Sequence, residues 1–217
     1  MTVAYRRRLL VVGAAALAAA AGCAPRLAPI TGVPAPARLP RSTMMPGRWK
    51  IVFNWVLSDR EMTGRGDGVA RIATPDSARL DFFLAGGFGG GAAVLIGDSV
   101  QTPAGDLVRR LIPPPTLLWA ALGRAAPPAL ADTVVRTEGA TLRADLGQPV
   151  QWRLTYRGDT LVRAERVEKG RVAEWVERTD STHVHYRNEG ARRSLQLTIT
   201  RVEPVAEFDA SIWILAR

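Results

Sequence analysis

The chain has 217 residues, 47% of them hydrophobic and 23% charged, which suits one globular domain with a full core. Its formal charge is +9, yet the cations are nearly all arginine and lie scattered among acids. No basic block traces a nucleic-acid backbone, so nucleic acid is not expected as a partner. A single cysteine, Cys23, excludes an internal disulfide framework.

The leader comes first. Arg6, Arg7 and Arg8 precede an apolar run over residues 9–21 that is too short to span a bilayer comfortably. The run ends in Ala20-Ala21-Gly22-Cys23. Small residues before a cysteine at this place resemble the lipobox of bacterial lipoproteins. The resemblance implies removal of residues 1–22, diacylation of the Cys23 sulfur by chains of the palmitate kind, and acylation of the new amino end. An ordinary signal peptide with a free thiol is the alternative. Ala24 stands where, in many Gram-negative lipoproteins, an aspartate signals inner-membrane retention. By that family rule the product is anchored on the periplasmic face of the outer membrane. Arg6-Arg7-Arg8-Leu9-Leu10 also faintly resembles a twin-arginine export signal, so the export route stays open. Residues 23–46 carry Pro25, Pro29, Pro34, Pro36, Pro40 and Pro46, the composition of an extended, unpacked tether.

The folded domain is expected over residues 47–217. Residues 47–59 predict a strand with Trp49, Ile51, Phe53, Trp55 and Leu57 on one face. Residues 61–73 predict the next. Their Gly64, Gly66 and Gly68 lack the spacing and lysine of a phosphate loop and suggest a bulged, bending strand instead. Residues 77–100 form a hairpin. Leu80, Phe82 and Leu84 alternate with Arg79 and Asp81, and Val94 and Ile96 lie in the return run. At the tip, Gly86-Gly87-Phe88-Gly89-Gly90-Gly91 holds one large apolar side chain among glycines. Phe88 there either folds back onto the domain's own core or meets a membrane or lipid chain. It is not needed for attachment. Burying it adds about 1.5–3 kcal/mol, whereas two or more acyl chains hold firmly by themselves.

Pro113-Pro114-Pro115 then introduces a short helix over residues 116–122, with Thr116 as its cap and Gly123 as its stop. Leu118, Trp119 and Leu122 make it apolar nearly all round, so it is expected to be buried on several sides. It is the one clear helical insertion. Strands are predicted over 133–137, 141–146, 150–157, 160–167, 171–178, 183–187 and 193–202, joined by short turns. Trp152 and Leu154 alternate with arginine and threonine, as do Leu197 and Ile199 with polar partners. The pattern is an antiparallel meander, apolar on one face and wet on the other. A sheet of about ten such strands must curl to hide its apolar side. The fold class expected is mainly β: an incomplete half-barrel with a short helical plug. A closed barrel or a sandwich also fits the strand count.

The leader, the tryptophan-rich strand, the hairpin Arg79-Leu80-Asp81-Phe82-Phe83-Leu84-Ala85-Gly86-Gly87-Phe88-Gly89, the proline-led helix and the later meander together resemble the LolA/LolB-like superfamily of periplasmic lipoprotein carriers. The likeness is strongest to the membrane-anchored LolB branch and covers residues 47–202. It implies an incomplete antiparallel barrel whose helices plug an apolar cavity that takes acyl chains. It also implies an exposed apolar residue at a hairpin tip, where Phe88 falls, and a periplasmic carrier protein as partner.

No catalytic constellation emerges, and no enzyme activity, metal or cofactor is expected. His183 and His185 lie two apart on one strand face without an obvious third ligand. Glu165, Glu174 and Glu177 mix with arginines as on a solvated sheet face. The first functional reading is therefore a monomeric, lipid-anchored binding module in lipoprotein localisation or lipid transfer. Its cavity wall would come from Trp55, Leu80, Phe82, Leu84, Val94, Ile96, Trp152, Leu154, Leu197 and Ile199, and its lid from Leu118, Trp119 and Leu122. The alternative is a filled β-barrel that scaffolds an envelope complex and holds no ligand.

Overall fold

A computed structural model describes residues 26–40, 46–87, 89–103 and 106–215. In chain order the strands are β1 (Val33–Ala35), β2 (Arg48–Ser58), β3 (Thr63–Ala73), β4 (Ser77–Leu84), β5 (Gly90–Ile96) and β6 (Ser99–Gln101). Two helices follow, α1 (Asp106–Leu111) and α2 (Pro115–Ala121). The second run of strands is β7 (Thr133–Glu138), β8 (Thr141–Leu146), β9 (Trp152–Arg157), β10 (Thr160–Glu168), β11 (Arg171–Arg178), β12 (His183–Asn188) and β13 (Arg193–Pro204). A 3-10 turn, Ala210–Trp213, comes last.

All thirteen strands belong to one antiparallel sheet in the order β1-β7-β8-β9-β10-β11-β12-β13-β2-β3-β4-β5-β6. Two meanders are thus fused by a single ladder, β13 on β2, which runs from Ser194 opposite Ser58 to Pro204 opposite Trp49. The sheet does not close. Its edges, β1 and β6, are three residues each, short enough to offer little template for pairing. These two strands are too brief to show alternation, which is why the expected count of about ten falls short.

Curvature follows from what the helices touch. Helix α2 packs on β10, β11 and β12, while Trp119 Nε1 donates to the Gly97 carbonyl at 2.7 Å, in the turn between β5 and β6. In a flat sheet β10 and β5 would stand roughly 34 Å apart at about 4.8 Å per strand. The sheet therefore wraps around α2. Register shifts in β10 and near the middle of β13 supply local bends.

Two of the three glycines of β3 are explained by packing, and the expected bulge is absent: β3 keeps an unbroken register with β2 and β4. A Cβ on Gly66 would stand 1.8 Å from the Phe83 carbonyl oxygen and 2.9 Å from the Trp55 ring. A Cβ on Gly68 would stand 2.3 Å from the Phe53 ring. Gly66 and Gly68 are sockets into which the two rings lie, and Phe82 closes edge-on against both. The Trp55 indole then reaches the Asp67 carbonyl at 3.0 Å.

Helix α2 differs from expectation at its start. Pro114 is its N-cap and no side chain caps it; Thr116 lies inside the first turn. Its end is as read. Gly123, at φ +93°, lets Arg124 N–H reach the Trp119 carbonyl and its own N–H reach Ala120, a Schellman ending. A second helix, α1, was not foreseen and sits on β5, where a Cβ on Gly91 would stand 1.8 Å from Val108. The proline-rich segment is expected to be unpacked, yet its described residues lie against the sheet. β1 pairs with β7, and Leu27 N–H donates to the Gly170 carbonyl.

The socket geometry gives a test. Gly66→Ala and Gly68→Ala should each destabilise the protein by roughly 1–3 kcal/mol or more through overpacking. Gly64→Ala, whose Cβ would meet only ordinary contacts from 3.5 Å outward, should leave the urea midpoint unchanged or raised.

Candidate functional site

Register decides which side chains face inward. Along β11, β12 and β13, Val176, Tyr186 and Leu195 share the concave face, and so do Arg178, Val184 and Leu197 one step along. On β2 the same face carries Leu57, Trp55, Phe53 and Ile51. The trough so formed has two unlike ends.

One end is polar and shut. Tyr186 donates to Glu174 at 3.2 Å, and Arg166 Nη2 donates to the same carboxylate at 2.5 Å. Asp59 lies 3.4 Å from Arg110 of α1 and 3.6 Å from Arg193 of β13. Hydrogen bonds from the Glu61 and Met62 amides hold the Asp59 carboxyl below its ordinary range, with the two arginines adding to them against the opposing effect of burial. Burial, then the Glu174 charge, pushes the Tyr186 phenol above its usual value. Glu174 and Glu165 are both buried, which corrects the view of them as members of a wet face: each lies under an arginine that covers it, Arg166 and Arg163 respectively.

The other end holds a cavity of about 180 Å³. Strands β2, β3, β4 and β11–β13 wall it with Ile51, Phe53, Ala70, Leu80, Val184, Leu197, Ile199 and Val202, and α2 covers it with Leu118, Ala121 and Leu122. Ser181 and Val202 in its lining are exposed to solvent, so the hollow opens at that rim. Arg178 is the one charged side chain in the wall. Its Nη1 donates to the Ala121 carbonyl at 2.6 Å. A void of about 20 Å³ lies nearby, shared by Leu80, Phe82, Leu118 and Leu197.

Of the residues expected to form the cavity, Leu80, Leu118, Leu122, Leu197 and Ile199 do line it. Phe82 borders the small void. Trp55, Trp119, Trp152 and Leu154 are buried core, and Leu84 packs against that core. Val94 and Ile96 lie elsewhere. Their register partners are Arg79 and Ser77, on the face opposite Leu80, and Ile96 is 44% exposed. The inward positions of β5 are Ala93 and Leu95, one residue out of step with the expected pair. Cys23 and Phe88 lie outside the described residues. The turn that leads to Phe88 follows Leu84, which opposes Gly66 and, across the next two ladders, Trp55 and Leu197.

Sequence reasoning missed Arg178, Ser181, Val184 and Val202. Arg178 is one arginine among many on alternating strands, and only the pairing of Arg178 with Val184 reveals its inward aim. Ile51 and Phe53 were within reach, because they alternate with Trp55.

A larger hollow of about 420 Å³ lies on the convex side, between residues 27–30 and strands β7–β9. Its polar groups are already committed. Arg153 grips Asp145 with two nitrogens, at 2.6 and 2.8 Å, and donates to the Ala28 carbonyl. It is the seam where the N-terminal segment lies on the sheet. The histidines are engaged as well: His183 Nδ1 is 2.9 Å from Asp180, and His185 Nε2 is 3.0 Å from Ser194 Oγ. Among the described residues, no group of three or more His, Cys, Asp or Glu side chains is placed to hold a metal ion.

A curled, unclosed antiparallel sheet with helices laid in its trough is also the architecture of known proteins. A LolA superfamily protein from Nitrosomonas europaea superposes with a TM-score of 0.51 at 9% identity, over 79% of this chain and 92% of that one. The fold is LolA/LolB-like. A DUF1329 family protein from Desulfovibrio piger superposes at 0.45 with 8% identity, over 78% and 90% of the two chains. A putative outer membrane lipoprotein-sorting protein domain from Vibrio parahaemolyticus superposes at 0.42 with 7% identity, over 77% and 89%. No family model matches the sequence, and no curated protein does.

Tyr156, fully buried on β9, has a hydroxyl with no partner, and burial pushes its phenol up to about 12. Its raised value means that its contribution is intact below the unfolded value near 10 and is lost as pH rises through the folded one. Thermal melts from pH 9 to pH 12 should fall through this window. Tyr156→Phe, which removes an unpaired buried hydroxyl, should flatten that fall and leave the melting temperature at pH 7 unchanged or higher.

Proposed function

We propose that the concave cavity binds acyl chains, and that the protein is an envelope lipoprotein acting in lipoprotein localisation or lipid transfer. The observation that carries this reading is an apolar hollow of about 180 Å³ left between a helix and a sheet that wraps it, open at one rim. The LolA/LolB-like fold supports it. Hand-over would be driven by differences in affinity, with the apolar wall gaining about 25 cal/mol per Å² of chain surface removed from water.

The rest of the assignment is part of the same proposal. Residues 1–22 are a leader, Cys23 carries the acyl anchor, residues 23–46 join it to the domain with β1 lying in the sheet, and residues 47–217 form the rest of the binding domain. The location is the periplasmic face of the outer membrane, and a periplasmic carrier is the partner. Phe88 contacts the bilayer. The role assigned to Phe88 is contact with the membrane, separate from lining the cavity.

A second reading keeps one observation on its side. The cavity is smaller than the roughly 300–1,000 Å³ of ordinary ligand sites, because Leu117, Leu118 and Trp119 fill much of the trough. That favours a scaffold with no ligand. Native mass spectrometry of the full chain extracted from its membrane separates the two. The carrier reading expects bound acyl species beyond the covalent anchor, and fewer of them in Ser181→Trp, which plugs an exposed rim position without touching the core. Consistently empty preparations would leave the scaffold. Phe88→Glu should weaken transfer of lipid into phosphatidylcholine vesicles at an unchanged melting temperature; a large drop in melting temperature would make Phe88 a core residue.

A further inference from the structure

The cavity has one charged group in an otherwise apolar wall, and that group is incompletely used. Other arginines on the sheet are matched to acids: Arg153 to Asp145, Arg163 to Glu165, Arg166 to Glu174. Arg178 is not. Among the described residues no carboxylate comes within ion-pair distance of it, and its one protein acceptor is the Ala121 carbonyl. A guanidinium carries five N–H donors in a planar fork suited to a two-oxygen anion, so most of that fork is left over. Of the acids close to it in the chain, Glu177 accepts from Arg163 at 2.6 Å, and Asp180 is occupied by its own turn, accepting from the Thr182 amide at 2.7 Å and the His183 amide at 2.8 Å.

Resting on the chain-binding reading above, we infer that the cavity selects a single-chain amphiphile ending in an oxyanion, carboxylate or phosphate, with Arg178 gripping the anion near the rim and the chain lying against Leu118, Leu197 and Ile199. Size argues for one chain. About 180 Å³ is below the roughly 300–1,000 Å³ of ordinary ligand sites, too little for the three chains of a fully acylated lipoprotein. Chemistry argues for the anion. A desolvated cation in an apolar wall gains most from an opposite charge that arrives with its own apolar cover. Burial already draws the Arg178 guanidinium below its ordinary value, with the charge of Asp180 opposing in part.

The competing role for Arg178 is purely structural, as a cation at the C-terminal carbonyls of α2. Ligand choice distinguishes them. The full chain is held in phosphatidylcholine nanodiscs, and displacement of a fluorescent acyl probe is titrated with dodecanoate, dodecyl phosphate and dodecanol, against protein-free discs. Inorganic phosphate and acetate serve as headgroups without a chain. The two anionic amphiphiles should bind about 10- to 100-fold more tightly than dodecanol, the range of a hydrogen-bonded charge, and the chainless anions should not compete. Arg178→Gln should abolish the preference for the anions over dodecanol, and Arg178→Lys should retain part of it. Equal binding of all three amphiphiles by the unaltered protein would overturn the inference and leave the chain-binding reading standing. So would loss of dodecanol and anion binding in equal measure in Arg178→Gln, the mark of a helix cap. Competition by inorganic phosphate alone would make Arg178 a simple anion site. Failure of every amphiphile to displace the probe would remove the chain-binding reading and this inference together. The comparison of anion with alcohol needs no variant, so it stands even where a substitution prevents folding.

Discussion

A wide sheet with one apolar face has to hide that face, and among the described residues two short helices are what is there to do it. That constraint shapes the rest of the molecule. Seven residues of α2 cannot cover thirteen strands laid flat, so the sheet bends until both of its halves touch the same helix. A helix this short has little stability of its own. Its order comes from burial of Leu117, Leu118 and Trp119 and from two anchors on opposite walls, Trp119 to Gly97 and Arg178 to Ala121. Helix and sheet are therefore conditions for each other.

The two meanders meet at the β13–β2 ladder, and the heaviest aromatic packing sits beside that seam. Trp55 and Phe53 need room on β3, and glycine at 66 and 68 provides it. The polar end and the open end of the trough then follow from the ladders. Glu174, Asn188 and Arg193 come into line at one end, and Arg178, Val184 and Leu197 toward the other. Charges at the first end are matched, Arg166 with Glu174 and both Arg110 and Arg193 with Asp59. The second end has no such match among the described residues, and that asymmetry makes it the candidate site.

How much of this was legible depended on period. Strands such as Thr141–Leu146 and Trp152–Arg157 follow turn residues and alternate cleanly, and they could be read directly. Strand β5 could not be phased, because Ala92, Ala93, Val94, Leu95 and Ile96 are all apolar and a one-residue slip moves every side chain to the other face. The glycines of β3 were visible but ambiguous: a bend and an aromatic socket use the same residue, and only the cross-strand neighbour tells them apart. Helix α1 was hidden by its length, a single hydrophobic turn and a half beside a glycine, Gly91, that seats Val108. Arg178 carried no local signal, since its meaning lies in what three other strands and a helix bring around it.

The size of the hollow sets the terms on which anything could enter. Widening it means moving α2, since the sheet wall is held by continuous ladders on every strand that borders the cavity. Moving α2 exposes Leu118 and Leu122 and frees the Ala121 carbonyl from Arg178. A long chain would restore the first loss by covering the leucines and an anionic head would restore the second by taking the freed guanidinium. Neither group alone offsets both. A neutral chain leaves a desolvated cation, and a chainless anion leaves bare leucine. An amphiphile that carries the two together is the occupant whose chemistry matches what the displaced helix leaves behind.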